Sequence, residues 1–397
     1  MRKAVVTGVA CVVIAVIVAL VLISHRWAPL RGPSYGSERG PFRAEGSIAP
    51  EAIAGEPAYR LVLIGDAGAP EPEDPTLALL GRWADAHPTR TTVIFLGDNV
   101  YPAGLRASDR SHGERILLQL IGSTRASKIF LPGNHDWGFT WNRSDPDVLA
   151  RQQEFVEERA DLRADFEPED GCPGPVALEL IEPVPGLLGG LTVLALDLHW
   201  WLLEESDRPA CEGIDTTSAF LEVFRAELEA RRHDNVVVAA HHPIRSGGPH
   251  GGYTRGFWRD LGMALFYRLY AVQDLIEPGY QEAVTLLSEV LSENPPLAMV
   301  GGHDHSLQIL DGGDEARLVV VSGSATRVSP VTPIEGTLFA HAERGFIVFD
   351  FHRGDAGNAR GTLFVQVVEV GHEGPVAAIA IDLARKEKPP EAVVPAR

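Results

Sequence analysis

Cysteine is scarce: the 397 residues hold three. Cys11 lies in an apolar segment, which leaves Cys172 and Cys211, both in polar loops that contain Pro and Gly. These two either pair in an oxidising compartment or stand as separate surface thiols, because sequence spacing does not give their distance. Positive charge is short as well. Lys and Arg number 35 against 54 Asp and Glu, a net charge of −19. Such a surface repels a phosphate backbone and argues against a nucleic-acid partner, although a local positive site can still bind an anion. No internal repeat is present.

A cleavage signal is also missing. Ala4 to Ile23 form an apolar run after Arg2 and Lys3, long enough to span the ~30 Å hydrocarbon layer as a helix. Ser24-His25-Arg26-Trp27 follows, which fits no small-residue cleavage site. The expectation is an uncleaved transmembrane signal anchor over residues 1–25, a cleaved signal being the other reading. The flanking charges are too even to orient it strongly. A flexible stalk rich in Pro, Gly, Ser and charge follows over 26–58.

What the chain has is apolar strand material. At 45% hydrophobic with 40 glycines, it can bury a full core in one large domain or two. Tyr59 to Ile64 reads as a buried strand, continuous rather than alternating. It ends in Gly65-Asp66-Ala67-Gly68. Four more apolar runs end the same way: in Gly97-Asp98-Asn99-Val100-Tyr101, in Gly133-Asn134-His135-Asp136, in His241-His242-Pro243, and in Gly301-Gly302-His303-Asp304-His305. Carboxylate, phenol, amide and imidazole groups at the ends of strands are what a metal cluster needs, and strand ends are where an α/β sheet keeps its site.

Helical spacing between the strands predicts a layered α/β domain over 59–384. Thr76 is the expected cap of a helix over Leu77 to Ala84, and Thr216 or Thr217 of one ending near Arg232; further helices are expected around Glu114 to Ile121 and 147–163. A helical insertion is expected over about 251–296. Its Phe257 to Ile276 stretch carries Arg259, Asp260, Arg268 and Asp274, which exclude an ordinary transmembrane span. That stretch reads as a flap, an interfacial helix or a helix packed on the main domain. After His305, apolar runs at 317–321, 346–351, 363–370 and 376–381 are expected to form a second sheet facing the first. Residues 385–397 read as a disordered tail. Trp137, Phe139 and Trp141 either wall a pocket or cover a sheet edge. His199, His233 and His242 read as structural or surface residues.

The five turns together resemble the calcineurin-like metallophosphoesterases and, within them, the small mammalian-type purple acid phosphatases. That pattern is Asp-x-Gly, Gly-Asp-x-x-Tyr, Gly-Asn-His-(Asp or Glu), Val-x-x-His and Gly-His-x-His, met here between residues 66 and 305. The resemblance implies a four-layer αββα sandwich of two mixed sheets. It implies Fe(III) held by Asp66, Tyr101 and His305, and a divalent Fe, Zn or Mn ion held by Asn134, His241 and His303, with Asp98 bridging. With a bridging hydroxide, these donors leave a net charge of about +1 to attract a phosphate ester. The implied reaction is phosphomonoester hydrolysis by metal-bound hydroxide. His135 is the first candidate general acid, with Asp136 expected to orient it, and His250 the second. Where diesterases of the superfamily carry a histidine two residues after the first aspartate, this chain has Gly68. The alternatives are a phosphodiesterase or pyrophosphohydrolase acting on nucleotide or lipid head groups, and a metal-stabilised binding module. A membrane-anchored protein with its domain in the periplasm or outside the cell is expected; the oligomeric state is open.

Overall fold

A computed structural model describes residues 34–45, 48, 53, 55–138, 144–182, 189–251, 273–275, 277–354 and 361–384. The expected anchor, the tail, Phe139, Trp141 and most of the 257–276 stretch lie outside them. Among the described residues no helix is long and apolar enough to cross a membrane.

Among the described residues fifteen strands form two sheets. In chain order they are β1 (Phe42–Arg43), β2 (Tyr59–Ile64), β3 (Thr91–Phe95), β4 (Ser127–Phe130), β5 (Ala164–Phe166), β6 (Val176–Ile181), β7 (Leu191–Ala195), β8 (Asn235–Ala239), β9 (Ala298–Gly301), β10 (Leu307–Asp311), β11 (Leu318–Ser322), β12 (Thr337–His341), β13 (Gly345–His352), β14 (Thr362–Glu369) and β15 (Ala377–Asp382). The seven-stranded sheet runs β15-β14-β13-β2-β3-β4-β5, and the eight-stranded sheet β1-β12-β10-β11-β9-β8-β7-β6. β2 to β5 are parallel, as are β7, β8, β9 and β11.

This order departs from two sequence expectations: part of the expected 26–58 stalk belongs to the domain, Phe42–Arg43 pairing as β1 with β12, and the second concerns the C-terminal strands. The runs at 346–351, 363–370 and 376–381 do not make a sheet facing the first. β13 pairs antiparallel with β2, and β14 and β15 continue the same sheet outward. The register sets Asp350 opposite Arg60, and a two-pronged ion pair at 2.7 Å locks them while both are buried. The facing sheet is built instead from β6 to β12 with β1.

Both faces of each sheet are covered, which explains the continuous apolar strands. Leu61, Leu63 and Ile94 point inward against Val193, Val237 and Val300 of the other sheet. Their neighbours Val62, Ile64 and Phe95 point outward onto helices α1 (Pro75–Asp85), α2 (Arg110–Gly122) and α3 (Pro146–Glu157). The outer face of the second sheet packs Val236, Val238 and Met299 against α4 (Thr217–Ala230) and α5 (Pro278–Glu293). The result is a helix–sheet–sheet–helix layering. Thr216 caps α4 through the Ala219 N–H, as expected. The cap of α1 is Asp74, not Thr76: its carboxylate accepts from Thr76 N and Leu77 N, with Pro75 in the first turn. Cys172 and Cys211 are joined by a disulfide, their Cα atoms 5.7 Å apart.

Candidate metal centre

All five motif turns leave the C-terminal ends of parallel strands and meet where the two sheets converge. Close main-chain approach makes this convergence possible. A Cβ at Gly302 would stand 2.7 Å from Asp66 Oδ2 of the other sheet. A Cβ at Gly68 would stand 2.6 Å from both Asp98 O and Val100 N, so an imidazole two residues after Asp66 is sterically shut out. Asp66, Asp98 and His303 adopt φ values of 59°, 54° and 67°. Non-glycine residues seldom hold that region without surrounding structure that fixes them, and such residues cluster at functional sites.

The side chains fall into two groups. In the first, the Tyr101 hydroxyl donates to Asp66 Oδ1 at 2.9 Å and stands 3.2 Å from His305 Nε2, which is itself 3.3 Å from Asp66 Oδ1. In the second, His241 Nε2 is 3.0 Å from Asn134 Oδ1 and 3.2 Å from His303 Nδ1. Asp98 lies between them, with Oδ1 3.5 Å from His241 Nε2. One donor atom from each of Asp66, Asp98 and His241 fits within 4.8 Å. All seven residues expected as ligands are therefore brought together.

Outer partners aim the imidazoles. His241 Nδ1 donates to Leu96 O at 2.8 Å, and His303 Nε2 to Gln273 O at 2.7 Å. That leaves His241 Nε2, His303 Nδ1 and the Asn134 oxygen as lone pairs facing one another. A cation bound among them, or a proton on one imidazole, satisfies these facing acceptors. Without a cation the proton takes the place. Burial would lower the His241 pKa, but Asp98 and Asp66 raise it above the usual value. Burial would raise that of Asp98, but His241 and His135 hold it well below the carboxylate range. Tyr101 is pushed well above its ordinary value by burial first, then by Asp66 and Asp98. A buried phenol beside two carboxylates gives up its proton only to a strongly Lewis-acidic ion. The chemistry of these donors fits metal binding, and Asp66, Asp98 and His241 offer three donor atoms close enough for one ion.

His135 borders this centre. Its Nδ1 donates to Pro102 O at 2.5 Å, and Nε2 is 3.8 Å from Asp98 Oδ2. Asp136 does not orient it. The Asp136 carboxylate instead accepts from the main-chain N–H groups of Asn99, Val100 and Gly133, which ties two motif turns together. His250 tilts over the His303 ring with centroids 4.0 Å apart. Its Nδ1 meets Asp274 Oδ1 at 2.5 Å, and this bond overrides burial to raise its pKa to about 9.

Three contributors escaped sequence reasoning. Gln273 holds His303 by its carbonyl, while its side chain bridges His199 and His242, both fully buried. Asp274 and Arg327, whose guanidinium lies over Tyr101, sit in no motif either. Trp137 is fully buried, with Nε1 bonded to Asp197, and borders a cavity of about 770 Å³ shared with His199, Trp201 and Gln273.

Two sheets with paired donor sets at their parallel strand ends define a metallophosphoesterase-type fold. The family model for calcineurin-like phosphoesterases matches residues 59–307. The chain belongs to that family and is thereby a phosphoric ester hydrolase by class. No curated protein matches it in sequence. Among solved structures it resembles GAP50, the anchor in the inner membrane complex of Plasmodium, at TM-score 0.53 and 15% identity, over 83% of this chain and 90% of that one. It also resembles purple acid phosphatase PPD1 from yellow lupin (Lupinus luteus) seeds, at TM-score 0.53 and 13% identity, over 86% of this chain and 58% of that one. At such identities the likeness is one of fold.

Proposed function

We propose that the protein is a phosphomonoesterase whose centre takes Fe(III) at Asp66, Tyr101 and His305 and a divalent Fe, Zn or Mn ion at Asn134, His241 and His303, with Asp98 serving both. The observation that carries this reading is the Tyr101 hydroxyl, buried between Asp66 Oδ1 and His305 Nε2, together with the backbone that excludes a side chain at position 68. The two halves are thus chemically unlike, and the phenol half suits the harder, more highly charged ion.

When bound, the metal pair polarises phosphoryl oxygens and activates water for attack on phosphorus. The neutral donors Asn134, His241 and His303 add no negative charge, so an anionic ester is still attracted. His135, with Nδ1 committed to Pro102 O, keeps Nε2 for the departing alkoxide and is the first candidate to protonate it. His250, held by Asp274, is the second.

We read residues 1–25 as an uncleaved anchor that leaves the domain on the non-cytoplasmic side. The Cys172–Cys211 bond supports an oxidising compartment. A mature N-terminus beyond residue 24 would overturn the anchor.

The activity is tested by turnover of p-nitrophenyl phosphate against bis(p-nitrophenyl) phosphate. The monoester is expected to be the better substrate. A preference for the diester would turn the assignment to a phosphodiesterase, and no turnover of any phosphate ester by fully metallated protein would leave a binding module.

A further inference from the structure

The loop that follows β11 is fastened to one half of the centre at three nearby positions. The Thr326 hydroxyl donates to Asp66 O at 2.7 Å, and the Ser329 N–H donates to His305 O at 2.7 Å. Between these two, Arg327 lays its guanidinium over the Tyr101 ring, Cζ 3.9 Å from the centroid. Each contact lands on a different member of the Asp66–Tyr101–His305 set, so the loop cannot shift without disturbing all three.

Arg327 is exposed, and among the described residues no carboxylate pairs with it. Stacking on an aromatic face fixes the plane of a guanidinium while its N–H edge stays available. Such an edge matches two oxygens of a phosphoryl group, a geometry that a single imidazole donor lacks.

We propose that Arg327 is a substrate-binding residue, its guanidinium holding the phosphoryl oxygens of an ester, and then of the phosphate product, at the Asp66–Tyr101–His305 half of the centre. This rests on the phosphomonoesterase reading, which names no guanidinium or ammonium side chain. In a strongly acidic protein Arg327 also supplies the local attraction that draws the anion in.

The test compares metallated full-length wild type with Arg327→Met, which keeps an unbranched chain over the ring, and with Arg327→Lys. Inorganic phosphate is titrated by calorimetry, KM and kcat are measured on p-nitrophenyl phosphate, and metal content is determined in parallel. Arg327→Met is expected to weaken phosphate binding and raise KM by about tenfold or more, with both metals retained. Arg327→Lys should recover only part, because an ammonium cannot offer the paired donors. Unchanged phosphate affinity in Arg327→Met overturns the proposal. A parallel loss of metal overturns it too, since Arg327 would then act by supporting Tyr101. Wild-type protein that holds two metals but binds no phosphate overturns the phosphomonoesterase reading along with this one.

Discussion

The two sheets make unlike contributions to one centre. Every oxygen donor, Asp66, Asp98, Tyr101 and Asn134, follows a strand of the seven-stranded sheet, whereas every nitrogen donor, His241, His303 and His305, follows a strand of the eight-stranded sheet. The oxygen side carries the formal negative charge, and the nitrogen side is neutral once a cation displaces its proton. Neither sheet alone holds a site. The inter-sheet core of Leu63, Ile94, Val237 and Val300 therefore sets donor distances as well as stability. Gly302, pressed against Asp66, is one place where the two sides touch.

The largest expected break comes from Asp98→Asn, because in the proposed centre this carboxylate alone serves both halves. Its loss removes a charge and, on that reading, a shared ligand, and turnover should fall by on the order of 10³, the upper end of what one stabilising donor usually supplies. Elemental analysis should find both metals depleted. Two retained metals with near-normal turnover would put the bridge elsewhere.

Gln273→Leu sharpens the contrast on the nitrogen side. It cuts the side-chain bridge between His199 and His242 and loosens the carbonyl that aims His303. Affinity for the divalent ion should drop by roughly ten- to a hundredfold, while the ion at Asp66, Tyr101 and His305 stays. Equal loss of both ions would mean that Gln273 supports the whole centre.

The smallest effect is expected far from the centre, where His341 of β12 meets Glu369 of β14 across the sheets at 2.7 Å. Burial lowers the His341 pKa, but Glu369 outweighs it, and the net shift is upward. The folded protein therefore holds this proton more tightly than the unfolded chain. The stabilisation is complete below the ordinary histidine value and fades as pH rises through the raised one. Wild-type Tm should fall modestly relative to His341→Gln as pH rises from the ordinary histidine value through the raised one. Parallel Tm profiles would show that the pair contributes nothing.

The donors were legible in the sequence because each is local to a turn that ends an apolar strand. Their long-range partners were not. His135 and Asp136 are adjacent in the chain, which suggests a pair, yet Asp136 serves the main chain of residues 99, 100 and 133. Asp274 meets His250 from 24 residues away, and Arg327 meets Tyr101 from farther still. Likewise an alternating apolar run reveals a strand but not its partner. β13 could join either sheet until the buried Arg60–Asp350 pair fixed it beside β2. The cap of α1 failed for a local reason: Asp74 precedes Pro75, and that proline marks the first turn two residues before the apolar spacing begins.

The most direct test of two unlike halves is the visible spectrum of the oxidised protein beside those of Tyr101→Phe and His241→Ala. A phenolate on ferric iron transfers charge to the metal in visible light, so wild type should be coloured. Tyr101→Phe keeps the ring but should lose the band, and His241→Ala should lose the divalent ion and keep it. A colourless wild-type protein, fully active with two divalent ions, would contradict the ferric assignment and the asymmetry built on it.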